Sequence, residues 1–199
     1  MLNLLENKGY FSVVGANHRS STMLFRDKLV IKDSQIANVY DRLLKTGIRQ
    51  TFVVSNTDRT EFYIFHDPAN EPATEIIKLL SAHAGVGRGE IESQTYIFKD
   101  SEAYKHLLAV CCALDSLVIG DTRTRDSIDV SYNNAKHAGM TGLELDFLVS
   151  NALTVSNRVF KETKINRHPV SIPAALTQVA RDLHGDLGDC TGLLIGSGE

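Results

Sequence analysis

The spacing of apolar and polar residues over the first hundred positions alternates between a strand period and a helix period. Residues 10–16, 51–54, 62–65 and 95–98 are runs rich in β-branched and aromatic side chains, and they predict four strands. Residues 29–46 and 73–84 carry apolar side chains at helical spacing, and the second segment ends at the glycines of residues 85–87. The order β-α-β-β-α-β predicts an α+β fold that begins with a ferredoxin-like domain.

The pattern becomes helical after residue 100. One helix is predicted to run to residue 113 with Asp100 or Ser101 as its N-cap, and another over residues 127–138. A longer helix is predicted over residues 143–165. Its apolar stripe consists of Leu145, Leu148, Ala152, Val155 and Val159. Three interpretations stay open for this long helix, namely a spacer between domains, a seam between subunits, or a helix that faces the core.

The last thirty residues have the pattern that begins a dinucleotide-binding domain. A helix is predicted over residues 171–183, and a strand over residues 190–195 leads into Gly196, Ser197, Gly198 and Glu199. A strand followed by Gly-x-Gly starts the nucleotide-binding unit of a Rossmann α/β domain. The third glycine and the helix that would hold the phosphates do not follow, so we expect a truncated domain that binds no cofactor in this chain.

Composition and charge are those of an ordinary globular protein. The chain has 199 residues, is 43% hydrophobic and 23% charged, and has a net charge of −3, which gives no general attraction for nucleic acid. Three cysteines, two of them adjacent, indicate reduced thiols rather than a disulfide framework. No segment has the pattern of a membrane span or a signal peptide. We therefore expect a cytoplasmic protein without membrane contact.

A polar loop between the second and third predicted strands carries the most chemistry. Residues 55–61 read Ser-Asn-Thr-Asp-Arg-Thr-Glu. This loop resembles the Ser-Thr-Cys-Asn-Arg-Thr-Glu signature of the glutamyl-tRNA reductase family. Further segments resemble that family in the same order along the chain. They are residues 15–20, 26–27, 106–120, 138–142, 155–163, 170–172 and 194–199.

The resemblance implies a function in tetrapyrrole (heme) biosynthesis and a division of the chain into three parts. These are a catalytic-type domain over residues 1–141, a spacer helix over residues 142–168, and the start of an NADPH-binding domain over residues 169–199. In the family, a cysteine thiolate attacks glutamyl-tRNA, and NADPH reduces the resulting thioester to glutamate-1-semialdehyde. Thr57 stands at the position of that cysteine. A threonine hydroxyl is far harder to ionise than a thiol, so the resemblance predicts an inactive or altered relative, a pseudoenzyme.

The resemblance also places the substrate-binding positions of the family on this chain. Arg59 matches the arginine that contacts the glutamyl group, Ser116 matches a substrate-binding serine, and His106 matches a histidine needed for activity. Other positions differ from the family pattern. These are Asn56, Asp58, Asp121, Thr122, Arg123 and Ser127, and at the cofactor end the matching residues are Gly196, Ser197, Gly198 and Glu199.

Several alternatives stay open from the sequence. Arg59, Arg123 and Arg125 together form a cationic pocket for an acidic ligand, or else Arg123 and Arg125 are solvent-exposed on a polar turn. Cys111 and Cys112 are either substitute thiols, or heme ligands together with His106, or buried small residues of a helix. The six other histidines have no metal-ligand spacing, so we expect no metal site.

These alternatives leave three functions. The first is a reductase with another nucleophile. The second is a non-catalytic binding or regulatory module for heme, glutamyl-tRNA or a partner reductase. The third is a homodimeric scaffold.

Overall fold

A four-stranded antiparallel sheet forms the centre of the domain, with the strand order β2-β3-β1-β4. The computed structural model describes residues 9–165, 172–193 and 195. The strands are β1 (Tyr10–Asn17), β2 (Gln50–Ser55), β3 (Arg59–His66) and β4 (Tyr96–Lys99). With the helices between them, this sheet confirms the predicted ferredoxin-like order β-α-β-β-α-β.

The described part of the chain contains eight helices. They are α1 (Met23–Leu29), α2 (Asp33–Lys45), α3 (Pro72–Ala84), α4 (Arg88–Gln94), α5 (Asp100–Cys111), α6 (Thr122–His137), α7 (Leu143–Glu162) and α8 (Ile172–His184). None of them combines the length and the apolar content that crossing a lipid bilayer requires.

The two faces of the sheet are covered by different helices. Phe52 of β2 contacts Tyr132 of α6, and Tyr63 of β3 lies against His106 of α5, so this face packs against α5 and α6. On the opposite face, Thr60 donates a hydrogen bond to the backbone of α1. Because neighbouring residues of a strand point to opposite faces, Arg59, Glu61 and Tyr63 all lie on the α5 side. This side holds the charged residues described below.

The close approach of β1 to β3 requires a glycine at one position. Gly15 lies opposite Glu61 in the β1–β3 ladder. A Cβ atom at Gly15 would lie 2.7 Å from the Cα atom of Glu61, and real Cβ atoms do not approach backbone so closely. The glycine thereby allows β1 to lie close to β3 at Glu61.

Four helix predictions were wrong in part. The helix predicted over residues 29–46 begins only at Asp33, as α2, and the preceding helix α1 was not predicted. The chain between α1 and α2 is extended, and the amide of Ile31 donates to the Ser55 hydroxyl at 2.8 Å. Asp100 does not cap α5 from outside. It is the first helical residue, with φ of 47°, and its carboxylate accepts from the amide of Phe11. Helix α6 begins five residues earlier than predicted, and Asp121 caps it.

The fourth correction concerns the long helix. α7 ends at Glu162 instead of residue 165, and its first half faces the core. Leu145, Leu148 and Ala152 are buried as the stripe predicts, but the buried stripe continues to Ser156 and not to Val155, which is 38% exposed. The Ser156 hydroxyl donates to the carbonyl of Cys111, which attaches α7 to the end of α5. The core-facing interpretation therefore holds for this half of the helix.

The C-terminal predictions have mixed outcomes. α8 confirms the helix predicted over residues 171–183 within one residue. The predicted strand over residues 190–195 was wrong, since none of its described residues is in a strand. The boundaries after residues 141 and 168 stay predictions.

Candidate functional site

The loop between β2 and β3 contains only residues 56–58, and the side chain of Asn56 shapes it. The Asn56 amide oxygen accepts the backbone N–H of Asp58 at 2.9 Å and that of Arg59 at 3.1 Å. The backbone N–H of Asn56 in turn donates to the backbone carbonyl of Arg59 at 2.8 Å. Asparagine favours such turns because its short side chain can satisfy nearby backbone groups. The turn holds Thr57 at its tip.

Thr57 is exposed, and its backbone is fixed from below. Its carbonyl oxygen accepts a hydrogen bond from Nε of Arg26 at 3.1 Å, and Arg26 is itself 8% exposed and donates to the carbonyl of Ser21 at 2.7 Å. The tip of the loop is therefore held by a buried guanidinium.

The loop and the first turns of α6 enclose a pocket of about 230 Å³. The pocket brings together most of the predicted substrate positions, although they lie some 65 residues apart in sequence. Its lining residues are Asn56, Thr57, Asp58, Asp121, Arg123, Thr124 and Ser127. Thr124 was not predicted, while Thr122 and Ser116 do not line the pocket. Ser116 is buried behind it, and its hydroxyl donates to that of Thr124 at 2.9 Å.

Two charged side chains of this pocket, Asp121 and Arg123, pair with each other. Asp121 accepts the backbone N–H of Arg123 at 3.0 Å and so caps α6. The Arg123 guanidinium contacts both oxygens of the same carboxylate, with Nε at 3.1 and 2.9 Å and Nη2 at 2.7 Å. Arg59 and Arg125 do not line the pocket, and Arg125 contacts Asn157 and Asp126 instead. The hypothesis of a cationic pocket built from the three arginines was wrong.

Arg59 points away from this pocket into the protein. Its side chain is fully buried, and its Nη1 lies 3.0 Å from Glu61 and 3.5 Å from Asp115. Its Nη2 donates to the carbonyl oxygen of Asp115. Only Nε lacks a partner among the described residues. The arginine that resembles the glutamyl contact of the family is thus engaged in an internal ion pair in this structure.

Glu61 is the centre of the buried cluster. It is fully buried, and its carboxylate accepts hydrogen bonds from Arg59, Tyr63, Tyr96 and His106. Burial alone would raise the pKa of Glu61, but the positive charge of Arg59 and the contact with His106 bring that pKa well below its usual range. Burial and the adjacent carboxylate raise the pKa of both tyrosines, which stay protonated donors.

His106 joins the cluster to a second pocket. Its Nε2 lies 3.0 Å from Glu61, and its Nδ1 lies 3.7 Å from Asp115. Its ring packs against Tyr63, Tyr96 and Phe98. This second pocket, of about 300 Å³, is lined by His106, Asp115, Asn17 and Arg19 among others, and it shares no lining residue with the pocket at Thr57. His106 and Thr57, which the sequence placed in one site, therefore face different pockets.

Two observations answer the questions about metals and thiols. Glu61, His106 and Asp115 offer ligand atoms within 4.8 Å of one another, but Arg59 already supplies the positive charge between the two carboxylates, so we assign no metal to them. Cys111 and Cys112 are buried, and neither lines either pocket.

Burial raises the pKa of Cys111 to about 12 and also raises the pKa of Cys112. These properties contradict the interpretation of the two cysteines as substitute nucleophiles. At the C-terminal end, the predicted cofactor residues Gly196, Ser197, Gly198 and Glu199 lie outside the described residues.

The chain is similar to known proteins over most of its length. Residues 14–163 match the family model for the N-terminal domain of glutamyl-tRNAGlu reductase. The glutamyl-tRNA reductase of Rhodospirillum rubrum is 31% identical over 192 residues, which are 95% of this chain and 44% of that protein. That of Carboxydothermus hydrogenoformans is 31% identical over 191 residues, with 96% and 42% covered.

A solved structure has the same fold. Glutamyl-tRNA reductase from Methanopyrus kandleri superimposes with a TM-score of 0.66 and 20% identity, over 86% of this chain and 39% of that one. The chain spans about 44% of the length of its first relative. The match to the family model covers three quarters of the chain, and the chain belongs to the glutamyl-tRNA reductase N-terminal domain family.

Proposed function

We propose that this chain is a glutamyl-tRNA reductase-like protein of tetrapyrrole biosynthesis that keeps a site for glutamyl-tRNA but does not form the covalent intermediate. The observation that carries this proposal is the position of Thr57. It lies at the exposed tip of a well-ordered loop, on the rim of the pocket that gathers the family's substrate positions. The proposal places the chain in the cytoplasm, as a pseudoenzyme of its family.

The chemistry of the pocket supports the loss of the acyl-transfer step. Attack on the glutamyl ester would need the Thr57 oxygen to lose its proton as it bonds to the carbonyl carbon and expels the tRNA hydroxyl. A base must accept that proton, and the lining of the pocket contains no histidine. Asp58 and Asp121 are the carboxylates nearby, and Asp121 is held by Arg123. A threonine without a paired base is a poor nucleophile.

The charge pattern of the pocket supports a glutamyl ligand. A glutamyl ester carries an α-ammonium and a γ-carboxylate. Asp58 offers a negative charge for the first group, and Arg123, which is paired with Asp121 and 52% exposed, places a positive charge near the second. The pocket volume of about 230 Å³ lies below the range of about 300–1,000 Å³ that is usual for ligand sites, so we assign it only the small aminoacyl end of the tRNA.

The intact family also uses NADPH, and in this proposal the hydride transfer is absent because no thioester is available to accept a hydride. The alternative function is a regulatory module that binds heme or a partner reductase instead of glutamyl-tRNA. A homodimer through the exposed side of α7 is compatible with both functions.

The Thr57→Cys substitution tests the proposal directly. The variant and the unmodified protein are incubated with tRNA charged with radiolabelled glutamate, and protein-bound label is measured with and without hydroxylamine, which cleaves thioesters. We expect no adduct on the unmodified protein and a hydroxylamine-sensitive adduct on Thr57→Cys. Thr57→Ser is the matched control, because it keeps a hydroxyl of lower bulk, and we expect no adduct on it.

Each other outcome of this experiment identifies a different function. An adduct on the unmodified protein would contradict the proposal and indicate a reductase with another nucleophile. No adduct on Thr57→Cys, together with no binding of charged tRNA by filter retention, would also overturn it and favour the regulatory module.

A further inference from the structure

A third cavity lies at the end of the sheet opposite Thr57. Asn17 pairs with Arg59 at one end of the β1–β3 ladder, and Tyr10 pairs with His66 at the other. The cavity there has a volume of about 320 Å³, the largest of the three described here. Ser12 of β1 and His66 of β3 are two polar side chains that line it. The functions discussed above use neither residue.

Ser12 and His66 form a hydrogen-bonded pair, and a backbone carbonyl determines which of the two is the donor. The Ser12 hydroxyl lies 2.9 Å from Nε2 of His66, and Nδ1 of His66 lies 3.0 Å from the carbonyl oxygen of Asp67. A carbonyl oxygen only accepts, so in the neutral ring Nδ1 carries the proton and Nε2 presents its lone pair. The Ser12 hydroxyl then donates to Nε2. This is the arrangement of a serine nucleophile with its general base and an oriented imidazole.

The walls of the cavity add a cation and an apolar surface. Lys99 is directly opposite Ser12 in the β1–β4 ladder, so the two side chains lie on the same face of the sheet, and Lys99 lines the cavity. An ammonium there can stabilise negative charge that develops on a carbonyl oxygen above Ser12. Ile97, Pro72 and Ala73 provide apolar wall next to it.

The remaining charges of the cavity limit the substrate. Glu71 and Asp100 line it together with Lys99, so carboxylates outnumber the cation. Ser12 and His66 are 2% and 9% exposed, and both line the cavity. An anionic acyl group would be repelled, and a large one would not fit. The chemistry that suits this cavity is a small neutral ester.

We propose that Ser12 is a nucleophile toward small neutral esters, with His66 as its base. The Ser12 oxygen bonds to the carbonyl carbon while its proton passes to Nε2 of His66. The alcohol leaves and takes up that proton. A water molecule, deprotonated by the same imidazole, then releases the acid and regenerates Ser12. No group is oxidised or reduced. This activity is independent of the glutamyl-tRNA site at the other end of the sheet.

A serine-directed fluorophosphonate tests this proposal, because it forms a stable Ser–O–P bond and releases fluoride. The full chain is treated with the probe at neutral pH, the labelled peptide is identified by mass spectrometry, and the hydrolysis of 4-nitrophenyl acetate is measured in parallel. We expect one label, on Ser12. His66→Gln, which keeps a polar side chain but no base, is expected to slow labelling on the order of 100-fold.

Two further variants separate reactivity from folding. Lys99→Met changes an exposed side chain, leaves the fold intact, and is expected to slow labelling by at least about tenfold. Ser93→Ala is the matched control, since the Ser93 hydroxyl is exposed and donates to the carbonyl of Glu90, and its labelling should equal that of the unmodified protein. A protein that stays unlabelled at Ser12, or His66→Gln labelled at the unmodified rate while its circular dichroism is native, would overturn the proposal.

Discussion

Two groups of charged residues lie side by side in this domain and differ in how well they tolerate substitution. The pocket at Thr57 is open to solvent, so water can solvate its exposed side chains if they lose a partner. The cluster around Glu61 is closed, with Arg59 and Glu61 fully buried and each dependent on the other. Only one residue separates Thr57 from Arg59 in the sequence. The comparison shows why the chemistry of the pocket can change in a relative while the adjacent cluster keeps the scaffold together.

The largest expected effect comes from removing the centre of the cluster. Glu61→Ala leaves the Arg59 charge buried without its main partner, and we expect a loss of about 3–5 kcal/mol in the free energy of unfolding. Urea denaturation followed by circular dichroism measures this loss. Glu162→Ala is the matched control. It also removes the partner of an arginine, Arg158, but both side chains are exposed, so we expect a change within about 0.5 kcal/mol. Equal losses in the two variants would contradict the difference expected between a buried and an exposed ion pair.

The next effect is a dependence on pH. The pKa of Glu61 is lower in the folded protein than its ordinary value, so the unfolded state takes up more protons in acid. The stabilisation is complete above the ordinary pKa of a glutamate, about 4.3, and is lost as the pH falls below it, with a slope of up to about 1.4 kcal/mol per pH unit. Arg59→Met removes the charge that lowers this pKa, so the slope below pH 4 should become smaller.

Urea denaturation at pH values between 7 and 3 measures both slopes. Arg158→Met is the control, because its ion pair with Glu162 is exposed, and it should keep the slope of the unmodified protein. An unchanged slope in Arg59→Met would show that other carboxylates cause the acid sensitivity.

The smallest effect is expected at the tip of the loop. Thr57 is held through its backbone carbonyl, so Thr57→Ala removes no contact that fixes the turn. We expect a change within about 0.5 kcal/mol in the free energy of unfolding. A thermal melt measures it, and a loss above about 1.5 kcal/mol would mean that the threonine side chain supports the scaffold.

The elements were predictable where the pattern is local. Runs of β-branched and aromatic residues gave the four strands, and most residues of β1, β2 and β3 are buried. Gly85 ended its helix as predicted, with φ of 68°. The extended residues 30–32 before α2 were not predictable, because their conformation depends on a hydrogen bond from Ile31 to Ser55 on another element.

The sequence predicted where the site residues lie better than it predicted which of them pair with one another. The polar loop at residues 55–61 was found from its place between apolar runs, and the family signature pointed to Asp121, Arg123 and Ser127 on the facing helix. The pairing of Glu61 with His106 and of Arg59 with Asp115 joins residues 45 and 56 positions apart, which only the strand register and the α5 packing determine. The alternation of Arg59, Glu61 and Tyr63 on one strand face was the available signal. Ser12 and His66 gave a similar one, since Ser12 is a polar residue inside the run 10–16 and His66 directly follows the run 62–65.

Gly15 has a consequence for experiments that substitute every position in turn. Any side chain at Gly15 collides with the backbone of β3 beside Glu61, so its replacement disturbs the sheet and the buried cluster at once. In a deep mutational scan read out by growth, Gly15 should score as intolerant as a ligand-contacting position, although it lines none of the three cavities described above. Abundance measurements alongside such a scan would separate the two kinds of intolerance and would place Gly15 with the framework of the domain.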